Sequence, residues 1–450
     1  MDTNDICLAT FYQFLLTFFL YKIYSYIEFT MKKILYKKTF SHFFLSLCCY
    51  HIIYPTPLLP LELGIDRLFK DGYDKILKGK RIGLLTNQTG IDAHCQQNIK
   101  ILLDNQKTYQ LTALFALEHG LYGEYHAETK IQDKAIPHNG IPIFSLYGEN
   151  KRPTKQMLSH IDILIIDIQD IGVRYYTFTT SILYVIEEAS KSDILVMILD
   201  RPNPMGGTLI DGPPLNKNIS RSFASYIDVP ICHGLTIGEL AQFYNEEYKI
   251  RCSLIVVPLK GWSREMNFHQ TKFIWIPPSP HIPDPDTPYF YATTGLIGEL
   301  GSINIGVGYT MPFKIVGAPW INGELLAKTL NKQNIPGAVF TPIHYTPFYG
   351  SFKGTLCHGV QIHIRDYNKY RPFTVQSFIL GTIKAIHRQE FTKILATISS
   401  KKKQQFITLY GNTEIYQYLL SQKFITWPLI EHYDKEREHF RKKRIPYLLY

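Results

Sequence analysis

Between residues 80 and 199 the chain alternates two kinds of apolar segment, and this alternation constrains the fold most. Residues 80–86 (KRIGLLT), 111–117, 161–168 (IDILIIDI) and 193–199 are apolar runs of strand length. Helix-like stretches separate them at 96–103, 153–160 and 179–191, and another follows at 236–247. Strands with apolar residues on both faces, separated by helices, predict an α/β fold: a parallel sheet covered on each side. No GxGxxG follows the first strand, so a dinucleotide cofactor is not expected.

Each of these strands ends in polar residues. The ends are Asn87-Gln88, Glu118-His119, Gln169-Asp170 with Arg174-Tyr175-Tyr176, and Asp200-Arg201 with Asn203. Ligands of open α/β sheets bind outside the carboxyl ends of the strands, so the four ends are expected to converge on one crevice. Acids, amides, two arginines and tyrosines together suit a polar, anionic, sugar-like ligand. The segment FALEHGLYGEY, residues 115–125, is the most telling. An apolar strand stops at a Glu-His pair, and Gly120 and Gly123 turn the chain beside it, an arrangement suited to proton transfer. Taken singly, each end also reads blandly: a capped loop at Glu118-His119, a helix cap at Asp170, a local ion pair at Asp200-Arg201.

A second region starts near Arg251, giving three segments: 1–60, 61–250 and 251–450. Within it, 254–258 and 359–365 read as strands, 317–330 as a turn and helix, and 375–388 and 434–443 as helices. The proline-rich stretch IWIPPSPHIPDPDTP, residues 274–288, reads as a rigid wall of a cleft.

Composition narrows the chemistry. The net charge of +10 is spread thinly, with local excess at 401–403 and 441–444 and no basic stripe interleaved with aromatics. Nucleic acid is therefore not an expected partner. The 16 histidines show no HExxH and the seven cysteines no CxxC, so neither a metal centre nor a disulfide framework is expected. The nearest approach to a ligand set is His119, Asp170 and His233. Cys232 and Cys357 each precede a histidine, but neighbours on a strand point apart and make poor catalytic pairs. GxSxG and Walker loops are absent. The 31 tyrosines suit carbohydrate contact.

The first sixty residues read as a leader. Lys32, Lys33, Lys37 and Lys38 precede the apolar run Phe43-Phe44-Leu45-Ser46-Leu47-Cys48-Cys49, the layout of a signal peptide starting at Met31. Export to the periplasm or cell envelope is the expectation, with a membrane tether through the leader, or lipidation at Cys48, as variants of it.

Together these motifs resemble the exo-acting β-N-acetylmuramidases of bacterial cell-wall turnover, long known only as a conserved domain of unknown function. The carriers are GIDRL (64–68), GKRIGLLTNQTGID (79–92), FALEHGLYGE (115–124), IPIFSLYG (141–148), DIQDIGVRYYTF (167–178), LDRPNPMGG (199–207), HGLTIGELA (233–241), WIPPSP (275–280) and the tail FRKKRIPYLLY (440–450). The resemblance implies a Rossmann-like domain, a second α/β domain, and a site in the cleft between them. It implies removal of N-acetylmuramic acid from the non-reducing end of peptidoglycan fragments, with Glu118 as general acid/base and no cofactor. The substrate-binding residues are then Asn87, Gln88, His119, Gln169, Asp170, Arg174, Tyr176, Arg201, Asn203, His233, Ser279 and Glu299. The substrate's own acetamide can replace an enzyme nucleophile, with Asp170 or Glu299 orienting it. Arg174 and Arg201 are the expected partners of the lactyl carboxylate. The rival reading is a non-catalytic binding protein for cell-wall sugars. Four positions depart from the family pattern: Leu117 replaces proline, His281 and Ser302 replace asparagines, and Val307 replaces arginine. If that arginine reads the lactate, specificity here has drifted.

Overall fold

The apolar runs become neighbouring strands of one sheet. The computed structural model describes residues 61–125 and 140–450; the leader expectations, including Met31 and Cys48, fall outside these residues. Strands β1 (Arg81–Thr86), β2 (Gln110–Ala116), β3 (Ile143–Ser145), β4 (Ile163–Asp167), β5 (Leu195–Leu199) and β6 (Leu254–Val257) lie in the order β3-β2-β1-β4-β5-β6. All pair in parallel.

Side chains alternate across the sheet, so each strand feeds two cores. On one face Leu85, Phe115, Leu164, Ile166, Val196 and Ile198 pack with helices α4 (Thr177–Lys191) and α5 (Ile237–Glu247). On the other face Ile82, Leu84, Leu114, Ile165 and Met197 pack with α1 (Gly64–Lys70) and α2 (Asn98–Asp104). A one-turn helix, α3 (Lys155–Leu158), precedes β4. The strand expected to open the second region is β6. It pairs with β5 through Val196↔Leu254 to Leu199↔Val257, so the first sheet runs past residue 250.

Beyond the short α6 (Phe268–Thr271), the chain enters a smaller region. Helix α7 (Thr287–Gly298) leads to β7 (Ile315–Ala318), α8 (Gly323–Lys332), β8 (Ala338–Tyr345) and β9 (Cys357–Ile364). The three strands form an antiparallel sheet ordered β7-β9-β8. Helices α9 (Pro372–Ile386), α10 (Arg388–Thr397), α11 (Ser400–Tyr410), α12 (Ile415–Ser421), α13 (Thr426–His432) and α14 (Asp434–Lys443) complete it. Among the described residues no helix is long and apolar enough to cross a membrane.

Of the contacts that tie the smaller region to the first sheet, two bear on the site and the tail. Arg174 is fully buried, and its guanidinium donates to the carbonyls of Pro213 (2.6 Å), Val229 (2.9 Å), Leu409 (2.7 Å) and Tyr410 (3.1 Å). Leu409 and Tyr410 end α11, where carbonyls lack intrahelical donors and carry the negative end of the helix dipole. Burial pulls Arg174 down to about 10, so it stays cationic at neutral pH. The second contact is the tail. The Tyr450 hydroxyl donates to Asp200 (2.7 Å), which also accepts from Thr236 (2.6 Å) and the Gly238 amide (2.9 Å). Burial pushes Asp200 up to about 6.

Two outcomes follow. Arg174→Met leaves four buried carbonyls without donors and should lower the unfolding free energy by about 3 kcal/mol or more; denaturant titration matching wild type would contradict this. Asp200 has a folded pKa above its unfolded value of 3.8. The folded state therefore holds its proton more tightly, and this group's contribution falls as pH rises from about 4 to about 6. Relative to Asp200→Asn, wild type should lose about 3 kcal/mol at most across that window. Parallel pH–stability curves for the two proteins would refute the assignment.

Candidate active site

The turn after β2 sets the site. His119 adopts a left-handed backbone (φ 75°), which costs a non-glycine residue about 1–2 kcal/mol. Tyr125 holds it there: its amide donates to the His119 carbonyl (3.2 Å), and its carbonyl lies 2.8 Å from His119 Nδ1. The turn brings Glu118, half-buried, to the start of α4, where Thr177 Oγ1 donates to its Oε2 at 2.6 Å. Thr177 is the first residue of that helix.

Glu118 and His119 open into a cavity of about 480 Å³, in the size range of small-molecule sites. Tyr176 and Thr177 continue this wall. The proline-rich segment contributes Ser279 and His281, and the smaller region adds Tyr291, Glu299, Asn304 and Val307. Glu299 follows the last turn of α7. Burial pushes the Tyr291 hydroxyl well above its ordinary range, and the negative charges of Glu299 and Glu118 add to this, so both carboxylates act on one ring. The Tyr176 hydroxyl is buried beside Ser279 and finds no hydrogen-bond partner among the described residues. No lysine or arginine lines the cavity among the described residues.

The four strand ends do not all converge. Those of β1 and β5 are occupied by an internal network. Arg201 Nε pairs with the fully buried Asp167 (2.6 Å), its Nη2 donates to the Ile91 carbonyl (2.7 Å), and Asn98 Nδ2 donates to Asp167 (2.8 Å). Arg201 and Gln169 line a separate small pocket of about 30 Å³. Gln169 donates to the carbonyls of Asp170 (2.7 Å) and Pro202 (2.9 Å). Asn87 folds back on Thr89 (2.9 and 2.6 Å). Asn203 bridges the Leu235 carbonyl (2.9 Å) and the Met205 amide (3.0 Å). His233 accepts from the Leu235 amide (3.1 Å), and burial lowers it to about 3, keeping it neutral. Asp170 accepts from the Gly172 amide (2.7 Å) and the Thr179 hydroxyl (3.1 Å), so it closes its own turn rather than capping α4, whose N-cap is Tyr176. Burial pushes it up to about 6. Arg174 and Arg201, expected at the lactyl carboxylate, are therefore both committed elsewhere, one to carbonyls and one to Asp167. Gln88 also stands outside the cavity lining, but it donates to the Pro277 carbonyl (2.8 Å) and so ties the proline-rich wall to the end of β1.

Of the expected residues, Glu118, His119, Tyr176, Ser279 and Glu299 meet in the cavity. Sequence reasoning missed Thr177, Tyr291, Asn304 and Gln405. Tyr291 lies in TPYFYATTGLIG, which is apolar around most of its circumference and lacks an amphipathic signal. Gln405 reaches the cavity from α11, far along the chain.

Comparison with known proteins agrees with this architecture. Models of the exo-β-N-acetylmuramidase NamZ N-terminal and C-terminal domains match residues 82–286 and 289–450. The junction falls after β6, as the sheet pairing requires. The chain is 39% identical over 390 residues to the peptidoglycan β-N-acetylmuramidase NamZ of Bacillus subtilis (strain 168), covering 87% of this chain and 91% of that one. Two crystal structures of DUF1343 family proteins from Bacteroides fragilis NCTC 9343 superpose on it. One gives a TM-score of 0.80 at 37% identity and the other 0.68 at 26%, each covering 87% of this chain and 99% of its own. The chain belongs to the exo-β-N-acetylmuramidase NamZ family.

Proposed function

We propose that this protein is an exo-acting glycoside hydrolase that releases N-acetylmuramic acid from the non-reducing end of peptidoglycan fragments during cell-wall turnover and recycling. The reading rests on Glu118, which shares a sugar-sized cavity with a second carboxylate, Glu299. Thr177 holds one oxygen of Glu118, and the other delivers the proton to the leaving glycosidic oxygen. As the bond lengthens, charge develops at the anomeric carbon, and the substrate's acetamide oxygen attacks it from the opposite face. Glu299 orients that acetamide, because it lines the cavity and Asp170 does not. The unpartnered Tyr176 hydroxyl supplies a further hydrogen bond to substrate. Glu118 then returns as base and activates the water that opens the intermediate.

Specificity follows from what lines the cavity. A bidentate arginine on the lactyl carboxylate would contribute about 1.5–3 kcal/mol. Val307 stands at the family's arginine position, so the preference for a muramide over a glucosaminide is expected to be modest. Export to the periplasm or envelope is part of the proposal, from the basic and apolar leader.

Glu118→Gln should lower turnover of a chromogenic β-N-acetylmuramide by about a hundredfold or more, because an amide cannot donate the proton. Near wild-type turnover in that variant would remove Glu118 from the mechanism. Cell fractionation should find a processed chain in the envelope fraction; full-length protein confined to the cytosol would contradict export.

A further inference from the structure

The hairpin between β8 and β9 exposes large apolar side chains while holding its own backbone firmly. Phe348, Tyr349 and Leu356 are 63%, 49% and 52% exposed. The Phe348 amide donates to the Gly308 carbonyl (2.6 Å), Gly354 closes the loop onto Pro347 (2.9 Å), and Asn304 Nδ2 donates to the Ser351 carbonyl (3.0 Å). Gly308 has φ 89°, and a side chain there would collide with the Tyr349 carbonyl, so the close approach requires glycine.

The rings are held as well. The Tyr349 hydroxyl lies 2.7 Å from His281 Nε2, and the two rings stack at 28°. Phe348 packs 5.7 Å from Tyr309, which in turn lies 5.2 Å from Tyr345. The next two residues, Gly350 and Ser351, line the cavity, and so does His281. The exposed rings are thus continuous with the wall of the site.

An exposed phenylalanine gains little from folding, whereas apolar surface joined to a binding cavity marks ligand contact. A pyranose with equatorial substituents presents C–H faces that pack on such rings, and rings already fixed lose little entropy on contact. We propose that Phe348 and Tyr349 form a platform for the sugar on the leaving-group side of the scissile bond, the N-acetylglucosamine next to the terminal muramic acid. His281 is its positioning residue, holding Tyr349 in place. This inference rests on the muramidase reading above and adds the subsite that selects glycan fragments over single sugars.

The test uses the full chain carrying Glu118→Gln, so that ligands bind without turnover. Calorimetry compares N-acetylmuramic acid with the β-linked muramic acid–glucosamine disaccharide. The disaccharide should bind about tenfold or more tightly than the single sugar. Phe348→Ala and Tyr349→Ala should each cut that ratio severalfold, whereas Phe348→Trp, which keeps a ring, should preserve it. Equal weakening of both ligands by the alanine variants, or an unchanged ratio, overturns the platform and leaves the muramidase reading intact. Failure of the disaccharide to bind the parent protein overturns both.

Discussion

The buried guanidinium of Arg174 is the constraint on which the site depends. Among the described residues no carboxylate is hydrogen-bonded to it; four carbonyls solvate it, from the segment before α5 and from the end of α11, and the charge of Asp228 acts on it from further off. Tyr176 and Thr177 follow it directly, so anchoring Arg174 also anchors the start of α4 and the hydroxyl that holds Glu118. Leu409, one of its acceptors, also lines the cavity. Two walls from different parts of the chain are therefore referred to one cation. The arrangement depends on the four bonds made by the two terminal nitrogens, because a buried charge missing partners is costly.

The polar strand ends serve two purposes, and burial separates them. Around Asp167 the groups are shut from water and satisfy one another: Arg201, Asn98 and Thr86 use its carboxylate and carbonyl. This network closes the crevice at β1 and β4, the place where strand order reverses and ligands of such sheets commonly bind. The open site lies to one side, where β2 ends and α4 begins. There Glu118 remains half-buried, and the Tyr176 hydroxyl remains without a partner among the described residues. Groups that folding leaves unsatisfied beside a cavity are the ones available to a substrate.

Much of the first sheet was legible in the sequence because its signal is local. An apolar run such as ILIID has one sensible place, the middle of a covered parallel sheet. The Glu118 turn was legible for the same reason, since an apolar strand that stops at Glu-His and is followed by two glycines is a local pattern. Arg174 was misread because sequence does not show whether a cation's partners are carboxylates or carbonyls, and its acceptors lie up to 236 residues away. Helix α7 was missed because it is apolar around most of its surface, and β8 because much of its length is exposed. β6 was read as a strand but given to the wrong region, since only pairing shows which sheet a strand joins.

The most direct measurement is mass spectrometry of products from defined peptidoglycan fragments with a muramic acid residue at the non-reducing end. The account predicts free N-acetylmuramic acid as the first product, released one residue at a time, with the remaining glycan shortened by one sugar. Internal cleavage products, or fragments returned intact by the folded protein, would contradict it.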